Sequence, residues 1–125
     1  MDLKKSANKK LNFQKGDLGE KKAIHFLKQK GFSILDEHFY FQHGEIDIVA
    51  RDKNELVFVE VKYRKQKNFG SPEESITEKK QTILRRTAEG YLYKKNLTDV
   101  ACRFDVVSIL ENKNKSTLHY FKNAF

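Results

Sequence analysis

The chain has 125 residues, 38% of them hydrophobic, with ten Phe and five Tyr. That is the size and apolar content of one domain with a core of its own, which excludes a disordered chain. No run approaches the roughly 18 apolar residues of a membrane span, so no membrane partner is expected. Lys plus Arg number 25 against 17 Asp plus Glu, a net charge of +8, and such a balance favours polyanions such as nucleic acid.

Residues 1–15 carry Lys4, Lys5, Lys9, Lys10 and Lys15 against Asp2 and read as a basic, flexible arm. They contain no apolar stretch of the secretory kind, and Cys102 is the only cysteine. A reducing compartment follows, with the cytoplasm as the simplest location. Residues 16–125 then form the single folded domain.

The first helix is expected over Asp17–Lys30 and is closed by Gly31. A strand follows at Phe32–Phe41, then a turn at Gln42–Gly44. Glu45–Arg51 and the Val- and Phe-rich Glu55–Tyr63 read as a second and third strand around a polar turn at Asp52–Asn54. Arg64–Ser71 is basic and loop-like. A second helix starts at Thr77, a suitable N-cap, and ends near Asn96. Strands at Arg103–Leu110 and Thr117–Phe121 complete a mixed α/β sheet with helices packed on it.

Alternation places Glu45, Asp47 and Val49 on one face of the second strand and Ile46, Ile48 and Ala50 on the other. In the third strand, Leu56, Phe58, Glu60 and Lys62 share one face, and Val57, Val59, Val61 and Tyr63 the other. Both faces are apolar over most of its length, so the strand is expected to be covered on both sides. Asp47 and Glu60 each interrupt an apolar run, which is costly unless the carboxylate is paired or metal-bound. A hairpin would bring the two acids together, and a hard divalent cation such as Mg²⁺ or Mn²⁺ would relieve their repulsion. Lys62 lies about 6.6 Å beyond Glu60 on the same face, beside such a cation. A solvated Glu-x-Lys ion pair is the plainer alternative.

Each helix has a polar residue on its apolar side. Glu20 shares a face with Ala23, Ile24 and Leu27, either aimed at the sheet or complementing the helix dipole. Ile76, Ile83, Leu84, Thr87, Ala88 and Tyr91 define the buried face of the second helix. Lys80 falls within that face and Gln81 at its edge. Lys80 either reaches the acids or snorkels to water.

Taken in order, the segments G-D-L-G-E (16–20), G-E-I-D-I (44–48), F-V-E-V-K-Y-R (58–64), F-G-S-P (69–72), K-K-Q (79–81), R-F-D-V-V (103–107) and N-A-F (123–125) carry a resemblance. The chain resembles the YraN-like uncharacterised family of bacteria, often described as endonuclease-like. That family is similar to the PD-(D/E)XK nuclease superfamily and to archaeal Holliday-junction resolvases. The resemblance implies a restriction-endonuclease-like three-layer core in αβββαβ order. It implies that Asp47 and Glu60 ligate the metal, that Glu20 assists, that the Val61 carbonyl adds a ligand and that Lys62 is the catalytic lysine. Lys80 and Gln81 fall where the second helix commonly adds a polar contact. The sequence departs from the superfamily pattern in having Ile46 where proline precedes the central acid.

Glu45 stands either behind Asp47 or exposed at a strand start. Arg64, Lys65, Lys67, Arg85 and Arg86 are candidate contacts to a nucleic-acid backbone. His38 and His43 are expected at the surface, Asp105 paired with Arg103, Tyr63 in the core and Cys102 as a small buried residue. The function expected is a Mg²⁺- or Mn²⁺-dependent endonuclease acting on DNA, with branched or structured DNA among the candidate substrates. The alternatives are a non-catalytic nucleic-acid-binding module with the nuclease fold, or a subunit active only with a partner. A homodimer is compatible with cutting two strands.

Overall fold

Glu55–Lys65 is apolar on both sides over its first half, and a strand of that kind belongs in the middle of a covered sheet. A computed structural model describes residues 14–65 and 76–125, with the side chains of residues 14–17 left aside. The elements are α1 (Gln14–Gln29), β1 (Ser33–Phe41), β2 (Gly44–Asp52), β3 (Glu55–Lys65), α2 (Glu78–Lys94), β4 (Cys102–Asn112) and β5 (Lys115–Phe121). They form one five-stranded sheet in the order β1-β2-β3-β4-β5, with β3 at its centre. β3 and β4 run parallel and every other pair is antiparallel. The α2 crossover makes that parallel pairing possible, since a tight turn joins only antiparallel strands.

The sheet separates two apolar layers. Ala23 and Leu27 of α1 pack with Ile48, Ala50, Val57, Val59, Val107 and Ile109. Leu84, Ala88 and Tyr91 of α2 pack with Ile46, Val49, Leu56, Phe58, Phe104 and Val106. The result is the expected three-layer α/β arrangement, with helices on both faces. Tyr63 is partly buried against the α1 layer, as expected. Among the described residues, no helix is long and apolar enough to cross a membrane.

Several boundaries differ from the sequence expectation. α1 begins at Gln14, three residues before Asp17. β3 runs on through Arg64 and Lys65, because Leu110 and Glu111 of β4 continue the ladder beside them. Backbone pairing here overrides the polar, loop-like composition. Lys67, the F-G-S-P segment and residues 1–13 of the arm lie outside the described residues. Cys102 is exposed and not buried. It opens β4 at the end of the sheet, where its thiol donates to the Val100 carbonyl at 3.3 Å.

Strict alternation fails at one level of β2. Ile46 and Ile48, two residues apart, lie in opposite apolar layers. The neighbouring strand is irregular at the same level: His38 takes a φ of 53°, a left-handed conformation in mid-strand. The β1–β2 partners run Glu37↔Ile48 and then Phe39↔Ile46, with His38 and Asp47 skipped. The grouping of Ile46 with Ile48 and Ala50 is therefore corrected.

Two glycines let α2 lie close on the β1–β2 hairpin. A Cβ at Gly44 would come 1.9 Å from Thr87 Oγ1, and one at Gly90 would come 2.4 Å from the Phe41 ring. Thr87 Oγ1 donates to the Ile83 carbonyl at 2.7 Å, so it has its own partner to keep. Gly44→Ala is expected to destabilise the fold by about 1–3 kcal/mol through overpacking, seen as a lower urea midpoint.

A buried ionic network closes the other end of the strands. The Arg103 guanidinium donates to Glu55 at 2.8 Å, Asp52 at 3.0 Å and Asp105 at 3.1 Å. Asp105, fully buried, also accepts from the Tyr120 hydroxyl and from the Asn123 amide at 2.9 Å. The expected Arg103–Asp105 pair is thus the centre of a larger cluster joining the β2–β3 turn to β4 and β5. The N-A-F segment touches it through the Asn123 amide; the Ala124 amide donates to the Phe104 carbonyl and Phe125 stacks on Phe104 at 4.9 Å in the α2 layer.

Candidate active site

The β2–β3 ladder runs from Asp52↔Glu55 up to Ile48↔Val59 and stops there. Asp47 and Glu60 are the next residue on each strand, so they stand where the two strands part. Asp47 is held by the backbone of β3: the Val61 amide donates to its Oδ2 at 2.8 Å. The Glu60 side chain is 13% exposed, and Lys80 Nζ of α2 lies 3.6 Å from its Oε2. Lys80 is therefore the helix residue that reaches the acids, with its side chain about half exposed.

Burial raises the proton affinity of both acids. Glu60 is pushed up to about 7 by burial first and the Asp47 charge second, with Lys80 opposing. Asp47 is raised by burial and by Glu45, against the pull of the Val61 amide. The contact between the two acids lowers Asp47 and raises Glu60, so of the pair Glu60 is the one that favours the proton, as with adjacent carboxylates that cannot both ionise.

The folded protein therefore binds a proton more tightly at Glu60 than the unfolded chain does. Its ordinary value is 4.5 and its folded value about 7. Between these limits the metal-free protein loses stability as pH rises. The raised affinity of Asp47 acts in the same direction. Urea unfolding in chelator is expected to show a loss on the order of 2–3 kcal/mol across this window. Glu60→Gln should flatten that slope and be more stable than wild type at the upper end.

His38, expected to be an ordinary surface residue, is part of the site. Its ring is partly exposed, yet Nε2 lies 2.5 Å from Glu20 Oε2 and Nδ1 lies 2.8 Å from Glu45 Oε2. The hydrogen bond to Glu45 is the main cause of its raised proton affinity, with the Glu20 and Asp47 charges adding. The available signal was position: His38 and Glu45 flank the Gln42–His43 turn, so a hairpin must bring them near each other.

Glu20 behaves as its helical spacing predicts. Ala23 and Leu27 are fully buried, and the Glu20 side chain is 14% exposed at the end of that stripe. Lys62 is half-buried, with Ser108 of β4 as its ladder partner. The Ser108 hydroxyl is buried without a hydrogen-bond partner among the described residues. Gln81 has a local role, since its Nε2 donates to the Ile76 carbonyl at 2.8 Å beside the Thr77 cap. Arg85 is taken up by aromatic rings, lying 5.2 Å from Phe104 and 5.5 Å from Phe125. Arg64, Lys65 and Arg86 are exposed.

Among the described residues, no three His, Cys, Asp or Glu side chains already converge to hold a metal ion. The donor set nevertheless suits a small hard cation. Mg²⁺ is commonly held by one or two carboxylates and keeps several waters. The Asp47–Glu60 pair, crowded enough to share a proton, supplies those carboxylates. Replacing that proton with a divalent ion would satisfy both.

A family profile described as "Uncharacterised protein family UPF0102" matches residues 19–109, a span that includes Glu20, Asp47, Glu60, Lys62 and Lys80. A UPF0102 protein of Caldicellulosiruptor saccharolyticus is 43% identical over 112 residues, covering 88% of this chain and 95% of its own. One from Geotalea daltonii is 44% identical over 111 residues, covering 88% and 87%. One from Clostridioides difficile is 40% identical over 114 residues, covering 91% and 98%. The motifs from Gly44 to Val107 lie within the span that the profile matches. This chain belongs to the uncharacterised protein family UPF0102.

Proposed function

We propose that this protein is a cytoplasmic, Mg²⁺- or Mn²⁺-dependent nuclease that hydrolyses phosphodiester bonds in DNA. The observation that carries the reading is the Asp47–Glu60 pair. Two half-buried carboxylates are placed together at the parting of β2 and β3, with a lysine of α2 at 3.6 Å. A fold gains nothing from such repulsion, and strongly shifted neighbouring acids mark functional sites.

In this reading Asp47 and Glu60 hold the cation, and the Val61 amide fixes the orientation of Asp47. Glu20 assists from α1, and the Val61 carbonyl is a further donor. A divalent cation bound there supplies Lewis-acid polarisation of the phosphate and a more acidic water. Lys62 offsets charge on the phosphate, and Lys80 contacts a neighbouring phosphate oxygen. Arg64, Lys65, Lys67 and Arg86 hold the nucleic-acid backbone through salt-sensitive contacts. The net charge of +8 supports a polyanionic substrate.

The test is cleavage in Mn²⁺ of a labelled panel of single-stranded, duplex, four-way-junction DNA and RNA, with wild type beside Asp47→Asn. Cleavage by wild type that is lost in the variant supports the reading and identifies the preferred substrate. Binding that ignores chelator, with no cleavage of any substrate, identifies a non-catalytic binding module instead.

A further inference from the structure

β1 departs from extended backbone at His38. His38 has φ 53° in mid-strand, and its pairing with β2 is interrupted there. Such a conformation is unfavourable for a non-glycine residue. Irregular strand positions beside active sites commonly serve to re-aim a side chain. Here the ring is aimed at two carboxylates on two different elements, Glu20 of α1 and Glu45 of β2. Each ring nitrogen faces one of the acids, Nε2 towards Glu20 and Nδ1 towards Glu45, so one side chain engages both. A single imidazole therefore fastens the helix acid to the strand that bears Asp47.

We propose that His38 is a positioning residue: by bonding Glu20 and Glu45 together it sets where the Glu20 carboxylate stands relative to Asp47 and Glu60. This rests on the metal-site reading above. His38 is not itself a ligand in this role. It acts through Glu20, as groups behind metal ligands do when they fix a ligand's orientation.

The experiment measures Mn²⁺ affinity of the DNA-free protein by titration calorimetry, so that it does not depend on cleavage. The variants are His38→Ala, His38→Asn, Glu20→Ala and the His38→Ala/Glu20→Ala double variant. Asparagine tolerates the left-handed backbone and keeps a donor. His38→Ala is expected to weaken Mn²⁺ binding about tenfold, and His38→Asn to recover part of the loss. In the Glu20→Ala background, His38→Ala should add less than about twofold, because coupled residues are not additive. A purely structural role would lower the melting temperature and leave Mn²⁺ affinity alone. Should His38→Ala not fold, His38→Asn carries the comparison. Wild-type affinity in both His38 variants, or losses that multiply in the double variant, overturns the inference while the metal site stands. Failure of wild type to bind Mn²⁺ overturns both.

Discussion

Asp47→Asn is expected to abolish metal-dependent cleavage while making the metal-free protein more stable. The two effects have one cause. Asp47 is a half-buried carboxylate whose charge is disfavoured by burial and by Glu45, and it raises the proton affinity of Glu60 in turn. Asparagine keeps the shape, and its carbonyl oxygen can accept the 2.8 Å bond from the Val61 amide. It removes one of two acids available to a cation. Residues standing behind metal ligands cost about 10–100-fold when removed, so loss of a ligand itself should reach the upper end of that range or beyond. Stability should rise by about 1 kcal/mol or more at neutral pH, since an unfavourable buried charge is gone. Cleavage assays in Mn²⁺ and urea unfolding in chelator read the two effects separately. A variant that loses both activity and stability would place Asp47 in the architecture and not in the chemistry.

Arg103→Met is expected to cost the most stability of any single change considered, about 3–5 kcal/mol. The reason is what it leaves behind. Asp105 has no exposed surface and would be left with only the Tyr120 hydroxyl and the Asn123 amide as partners. Asp52 and Glu55 would lose a shared cation at the β2–β3 turn. Replacing both partners, as Arg103→Met with Asp105→Leu, should recover much of the loss, because no unpaired buried charge remains. Denaturant midpoints of the single and double variants decide this. Equal losses in the two would show that the apolar pair repacks poorly and that the ion pair matters for its shape.

Much of this architecture was legible in the residues. The apolar faces of Glu55–Val59, the Thr77 cap and the stripe through Ala23 and Leu27 each report a local environment, and alternation or helical spacing is enough to read it. The Asp47–Glu60 pair was legible for a related reason, since each acid breaks an apolar run that a hairpin then aligns. Strict alternation failed at Ile46, level with the left-handed His38 of the neighbouring strand. No periodicity within β2 announces a partner's φ. Arg64 and Lys65 looked like loop because their place in the sheet is set by Leu110 and Glu111, far along the chain. Cys102 looked buried by residue type, but its burial depends on which helix covers the end of β4. The triple contact of Glu20, His38 and Glu45 needed three elements placed together, which spacing alone does not supply.

The parallel β3–β4 ladder has a consequence for the order in which the molecule assembles. Glu20, His38, Glu45, Asp47, Glu60 and Lys62 all belong to one contiguous stretch of α1 and a three-strand meander. Pairings this close along the chain form early, whereas closing β4 against β3 spans the whole α2 crossover and carries a larger loop entropy. The repelling acids are therefore gathered by local, fast steps, before Lys80 arrives to offset them. Closure of β4 against β3 is expected to be the slower step, and it comes with the docking of the helix that brings the compensating charge.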